Sequence, residues 1–470
     1  MLIESLFNIA LLGAVVAADT PPIVIKGNAF FDSETNKRFY IRGLAYQPGG
    51  SSKLEDPLAD PATCARDVPL FKELGINTIR VYSVDNTKDH SECMDLLSEN
   101  GIYLLLDVST PLSSIARDSP ACSYNSRYLR HVFATVDEFA RYDNVLGFFA
   151  GNEVINDVGS TNAAPYVKAV VRDMKKYLRA RDYRQIPVGY SAADVTENRV
   201  PTAHYFNCGD DEDERIDMFG INDYSYCGKS YQASGYGIKM KEFANYSIPV
   251  FLSEYGCNTG GSERHFNEVS SIYSRTMSSV FSGGIVYEYS NEANNYGLVN
   301  IIDKDTVEKL PDFDNLKEQF SETSDPEGGA GYSEDLKYSV CPTNSTKAWI
   351  VRDKVPSMPE GAKKYFTHGA GNGKGMKYST QNSCGLEDVE EDDDDVPVES
   401  STSTSETSTS ETTTIATTMS TSTSTSTSSE EATSHSVSSS SRTSRSSDAA
   451  GALEVPTAMK LLYHIIFSLL

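Results

Sequence analysis

Between residues 29 and 300 the chain alternates short apolar runs, rich in β-branched and aromatic residues, with longer segments whose apolar positions recur at helical spacing. The runs are FYIRGLAY (39–46), NTIRVYSV (77–84), IYLLLDVS (102–109), VLGFFAGNEV (145–154), PVGYSAAD (187–194), DMFGINDYSY (217–226), PVFLSEYG (249–256) and GIVYEYS (284–290). Most are close to continuously apolar, the pattern of strands covered on both faces, which belong to parallel sheets. Between them, CARDVPLFKELG brings Val68, Phe71 and Leu74 to one helical face, and YVKAVVRDMKKYLRARD repeats the pattern. Eight such units in roughly 270 residues predict a (β/α)8 TIM barrel, with a doubly wound sheet as the alternative.

The fourth and seventh runs each carry a glutamate where the apolar stretch stops. The fourth reaches Asn152 and Glu153, and the seventh reaches Ser253 and Glu254. Burying a carboxylate without a partner is costly, so these acids either sit at strand ends or have a chemical task. In a TIM barrel the C-terminal strand ends form the active-site face. Two carboxyl groups there suit glycosidic bond cleavage, in which one protonates the leaving oxygen and the other attacks the sugar or activates water. Asn152, just before Glu153, is expected to bond the sugar 2-hydroxyl. The competing explanation makes both acids rim residues paired with Arg80 or Arg42, but an Asn-Glu and a second Glu on strands four and seven together favour catalysis. Tyr82, Tyr224, Tyr226, Tyr287, Tyr289 and Tyr296 are expected at the same end, where aromatic faces stack on sugar rings. Taken singly, each reads as core rather than ligand; their clustering at one end is the signal. The single tryptophan, Trp349, falls outside the barrel.

The ends read differently. An apolar stretch from Leu6 to Val16 followed by small residues predicts a signal peptide over residues 1–18. Residues 387–447 open with EDVEEDDDDV and become almost wholly Ser and Thr, a stalk unable to bury a core and suited to O-glycosylation. The small residues Ser446 to Gly451, a polar spacer and the apolar tail AMKLLYHIIFSLL predict a GPI-attachment propeptide over 448–470, with Ser447 as the anchor residue. The catalytic barrel is then 19–320 and a C-terminal extension 321–386. Eight cysteines, all before the stalk, read as disulfides in a secreted chain, and Asn245 and Asn344 are N-glycosylation sequons. A net charge of −25 argues against nucleic acid as a partner. No metal or cofactor is expected, and the enzyme is expected to be a monomer.

FYIRGLAYQPGG, LGINTIRVYSVD, VLGFFAGNEV, IPVFLSEYGCN and YEYSNEANNYGLV resemble, in order, the blocks of the fungal GPI-anchored β-1,3-glucanosyltransferases of glycoside hydrolase family 72, over roughly Ile23 to Cys341. The resemblance implies a retaining transglycosylase with Glu153 as acid/base and Glu254 as nucleophile, acting on β-1,3-glucan donor and acceptor chains. It implies donor contacts from Gln47, Tyr82, the loop from Ser109 to Arg117, Asn152 and Tyr287, with stacking by Tyr224 and Tyr296. Asp194 and Arg199 match positions facing the acceptor, and Asp107 a polar residue bracing the site. It also implies the disulfides Cys64–Cys93, Cys208–Cys341 and Cys227–Cys257, leaving Cys122 and Cys384 over. Ala45 stands where Asp is frequent and Tyr226 where Trp is usual, departures that bear on substrate preference. Two cysteines after the barrel are too few for the family's cysteine-rich carbohydrate-binding module, which places the chain in the subgroup without it. A β-glucan hydrolase shares both glutamates, and a glucan-binding wall protein needs neither.

Overall fold

Eight parallel strands close into a barrel in chain order: β1 (Ile41–Ala45), β2 (Thr78–Val81), β3 (Tyr103–Asp107), β4 (Val145–Asn152), β5 (Val188–Ala193), β6 (Met218–Asp223), β7 (Val250–Tyr255) and β8 (Phe281–Val286). Each lies within, or for β8 overlaps, one of the eight predicted runs, and each is followed by a helix: α1 (Pro61–Leu74), α2 (Ser91–Glu99), α3 (Ser126–Phe139), α4 (Ala164–Ala180), α5 (Arg199–Phe206), α6 (Tyr236–Glu242), α7 (Glu268–Ile272) and α8 (Pro311–Glu322). The computed structural model describes residues 20–50, 53–228, 230–258, 263–381 and Cys384. The predicted signal peptide, the stalk and the anchor segment with Ser447 lie outside the described residues.

Local chemistry explains the element boundaries. Helix α1 starts where Asp60 accepts from the Ala62 amide and Pro61 fills the first position, and it stops at Gly75, whose φ of 75° is the left-handed conformation of a helix end. Helix α3 starts on Asn125, which accepts from the Tyr128 amide.

The strands sort their side chains into two cores. Ile41, Leu105, Phe149, Met218, Phe251 and Ile285 fill the barrel, closed below by Ile23 and Phe30 of an N-terminal hairpin. Leu44, Ile79, Leu106, Phe148, Tyr190 and Leu252 belong to the layer shared with the helices. Met218 occupies the space that Gly147 and Gly189 leave open; a Cβ on either would come within 2.6 and 2.5 Å of its side chain. Full burial of such side chains stabilises by roughly 1.5–3 kcal/mol each.

The described residues beyond α8 pack against the barrel's outer layer at several points. Trp349, 1% exposed, packs its ring 5.2 Å from Tyr205, and the Ile350 amide and carbonyl both bond the Thr161 hydroxyl. Phe366 meets Phe133 and Tyr177, and Gly375 donates to Asn86. All eight cysteines are paired: Cys64–Cys93, Cys208–Cys341 and Cys227–Cys257 as the resemblance implied, and Cys122–Cys384 between the two left over. Among the described residues no helix is long and apolar enough to cross a membrane. Asn245 is exposed; the exposed Asn344 exchanges two hydrogen bonds with the Val351 backbone.

Candidate active site

Both acid-bearing strands change register just before their glutamate. On β4, Phe149 pairs with Gly189 and Asn152 with Ser191, so β4 carries one residue more than β5 over that interval. On β7, Leu252 pairs with Ile221 but Glu254 with Asn222, again one residue extra. Such bulges re-aim side chains and cluster beside active sites. Phe251 belongs to the inner core, while Ser253 and the adjacent Glu254 both reach groups of neighbouring barrel strands, Asn222 and Arg80. Glu153 has a φ of 48°, uncommon for a residue with a side chain; its amide donates to Ser191 and its carbonyl accepts from Arg117 at 3.1 Å.

Below the glutamates lies a polar floor. The fully buried Arg80 grips Asp107 through two bonds of 2.9 and 3.1 Å, donates to Glu254 Oε1 at 3.2 Å and to Asn152 Oδ1 at 3.1 Å. Its guanidinium lies over the rings of Tyr82 and Phe149. Glu254 also accepts the hydroxyls of Tyr82 at 3.0 Å and Tyr224 at 2.7 Å. Glu153 Oε1 accepts from Asn222 Nδ2 at 2.8 Å; that amide also bonds Asn152, while its oxygen takes the hydroxyls of Ser191 and Ser253. Asn152 Oδ1 already accepts from the donor-only guanidinium of Arg80, so it must face an N–H of Asn222, which fixes that amide the right way round and leaves its other N–H for the carboxyl.

The two carboxyl groups, 5% and 3% exposed, are equally buried but differ in the donors that reach them. Burial, then the charge of Glu254, pushes Glu153 up to about 7. Burial also raises Glu254, opposed by the charge of Arg80 and the hydroxyls of Tyr224 and Tyr82. Three donors aimed at Glu254 stabilise its carboxylate, whereas Glu153 has one amide donor and keeps a proton into the neutral range. Separated protonation tendencies in neighbouring carboxyl groups mark an acid and a base.

Four of the six tyrosines form the mouth. Tyr82, Tyr224, Tyr287 and Tyr296 meet edge to face with centroids 5.5–6.5 Å apart. Tyr226 and Tyr289 do not join them: Tyr289 is fully buried with its hydroxyl on Asp67, and Tyr226 packs on Tyr236. Gln47 spends its amide on the backbone of Tyr82, Ser83 and Glu55, holding two loops. Ser109 is half-buried at the start of the loop after β3. Arg199 donates to both Asp194 and Glu242, and Lys239 bridges Asp194 to Asp223 at 2.9 and 2.8 Å. The guanidinium of Arg199 is therefore committed to carboxylates, and a sugar meeting this loop meets an ion network. Of the rim pairings considered from sequence, Arg80 does reach Glu254, whereas Arg42 turns to Asp325. Asn222 and Lys239 were not singled out in the sequence; the signal for Asn222 was a polar side chain two positions after Gly220 on an apolar strand.

Residues 12–324 match the family model described as Glucanosyltransferase. The chain is 62% identical over 396 residues to 1,3-beta-glucanosyltransferase GAS5 of Saccharomyces cerevisiae, covering 83% of this chain and 82% of that protein. It is 57% identical over 360 residues to 1,3-beta-glucanosyltransferase gel1 of Aspergillus fumigatus, covering 76% and 78%. Among solved structures, a mutant of Saccharomyces cerevisiae Gas2p in complex with laminaritetraose and laminaripentaose superposes with a TM-score of 0.67 at 45% identity, over 73% of this chain and 75% of that one.

Proposed function

The chain belongs to the β-1,3-glucanosyltransferases, transglycosylases of β-1,3-glucan, and we propose that its catalysis runs through Glu153 as acid and base and Glu254 as nucleophile. What supports this reading is the contrast between the two environments: one donor on Glu153 and three on Glu254.

Donor chain lies across the mouth against Tyr224, Tyr287 and Tyr296. Glu254 attacks the anomeric carbon while Glu153 gives its proton to the departing glycosidic oxygen, so the C–O bond breaks as the glycosyl ester forms. Esterification removes the charge of Glu254, the second cause of the raised affinity of Glu153 for its proton. Glu153 then persists as a carboxylate until an acceptor hydroxyl arrives. It takes that proton, the hydroxyl oxygen attacks the anomeric carbon, and Glu254 leaves as a carboxylate. Two displacements keep the β configuration. Tyr82, Tyr224 and Arg80 hold the nucleophile, and Asp107 holds Arg80. Asp194 and Arg199 set the acceptor side together with Lys239.

The enzyme is secreted, carries sugar at Asn245 and Asn344, and is held by a GPI anchor at the outer face of the plasma membrane as a monomer beside the wall glucan it elongates. Secretion, anchoring and glycosylation rest on the sequence of its two ends and its sequons.

The test is chromatography of products from one reduced laminari-oligosaccharide. The native enzyme gives one shortened and one lengthened chain, whereas Glu153→Gln and Glu254→Gln each reduce both products at least about a thousandfold. Full activity in either folded variant removes the assignment.

A further inference from the structure

The loop from Ser109 to Arg117 follows β3 and carries one direct contact to the catalytic pair, the bond from Arg117 to the Glu153 carbonyl. Within the loop Thr110 and Ser113 exchange backbone bonds of 3.0 Å, a tight turn that fixes its tip. Its outer side is bound by Tyr378, Thr380 and Gln381 of the C-terminal extension. The Ser113 hydroxyl donates to the Tyr378 carbonyl at 2.6 Å, the Thr380 amide donates to the Leu112 carbonyl at 3.1 Å, and Gln381 donates to the Pro111 carbonyl and the Ser114 hydroxyl. Ser113 and Thr380 are fully buried or nearly so. Asn125 donates to the Thr380 carbonyl, Arg127 bonds the Tyr378 hydroxyl, and Cys384 closes onto Cys122, which follows the same loop.

These residues lie beyond the matched family segment, which ends at residue 324. An extension that only shielded the outer helices would have no reason to end in hydrogen bonds and a covalent link around this loop. We propose that Tyr378, Thr380, Gln381 and Cys384 form a clamp that positions the Ser109–Arg117 loop, and through Arg117 the Glu153 backbone, so that the acid is aimed at the leaving oxygen. The residues concerned are positioning residues; none is argued to touch the reacting atoms. The inference rests on Glu153 being the acid.

Two consequences separate aim from stability. A poorly aimed acid harms a donor whose leaving group needs a proton and spares one whose leaving group does not. The positive charge of Arg117 also favours the ionised form of Glu153, so a loosened loop moves the alkaline limb of the pH profile to higher pH.

The experiment uses the full chain carrying Cys122→Ser, Cys384→Ser and Gln381→Ala together, and a second variant with Gln381→Ala alone, which keeps the disulfide. Single-turnover cleavage is measured on a laminari-oligosaccharide and on a 2,4-dinitrophenyl laminarioside, with melting curves alongside. The expected result is about a tenfold loss on the oligosaccharide in the triple variant, against less than twofold in dinitrophenolate release, since small misplacements of catalytic groups are costly. The single variant shows the same ordering at about two- to threefold. Equal losses on the two donors, or no loss in Gln381→Ala, overturn the clamp. Should the triple variant not fold, the single variant decides alone. Glu153→Gln serves as reference: retained cleavage of the oligosaccharide there overturns the acid assignment and the clamp's role with it, whereas a dead reference beside unaffected clamp variants overturns the clamp only.

Discussion

Replacing Tyr224 with Phe removes one hydroxyl and keeps the ring. That hydroxyl donates to Glu254 Oε2 at 2.7 Å, inside a site where Glu254 is 3% exposed. Burial and the charge of Glu254 raise the Tyr224 phenol well above its usual range, so it remains a donor at every working pH. A hydrogen bond to a charged group contributes about 1.5–3 kcal/mol. One unit of pKa corresponds to about 1.4 kcal/mol. Because the bond stabilises the carboxylate, its loss raises the pKa of Glu254 by about one to two units. The acid limb of kcat/KM, which requires ionised Glu254, then moves up by the same amount. Below the native acid limb the variant is expected to lose about 10- to 100-fold, and the loss shrinks as pH rises through the shifted limb, before Glu153 ionises. The assay is initial cleavage of a laminari-oligosaccharide from pH 3.5 to 8, with Tyr82→Phe alongside, since that hydroxyl bonds the other oxygen at 3.0 Å. A Tyr224→Phe profile that falls uniformly, with its acid limb unmoved, refutes the idea that this hydroxyl sets the ionisation of the nucleophile.

Glu153, pushed up to about 7 by burial and by Glu254, must hold its proton for cleavage, so kcat/KM falls above about pH 7 in a profile of the native enzyme; activity undiminished to pH 9 counts against it. Glu288, 3% exposed and bonded by Asn294 at 2.8 Å, is pushed up to about 8 by burial. Its folded pKa is raised, so its contribution to stability is complete below about 4.5 and lost as pH rises through about 8; Glu288→Gln should therefore gain about 3 °C of melting temperature over the native protein at pH 8.5 relative to pH 5. Asp194→Ala, Arg199→Ala and Lys239→Met each break the ion network that joins the β5 and β6 ends, and each should raise the ratio of hydrolysed to elongated product at least twofold while donor cleavage persists; equal loss of cleavage and transfer in all three removes the acceptor-side role.

Apolar periodicity carried the architecture. Strand runs covered on both faces need packing on each side, which a barrel supplies with its own filled interior and an outer ring of helices, so all eight strands and the strand-end positions of Glu153 and Glu254 were legible. The tyrosines were legible only as a group, because strand pleat alone does not say which ring faces the mouth. Tyr289 follows β8 as Tyr287 does, yet Asp67 draws its hydroxyl into the helix layer. Arg199 reads as a free cation in SAADVTENR, and only the approach of Glu242 from α6 shows it paired.

The sequence by itself determined which segments become strands and helices, because that information is a local periodicity of apolar side chains repeated eight times. It also placed the two acids at strand ends, since an apolar run that stops on a carboxylate stops for a local reason. Only the tertiary structure decided what those acids can do. The bulges on β4 and β7 depend on pairing with β5 and β6, and the ionisation of Glu254 depends on Arg80, Tyr82 and Tyr224, far from it in the chain. The union of Cys384 with Cys122, 262 residues apart, belongs to the same class. Electrostatic environment is the sum of groups brought together from distant strands, and no window of sequence contains that sum.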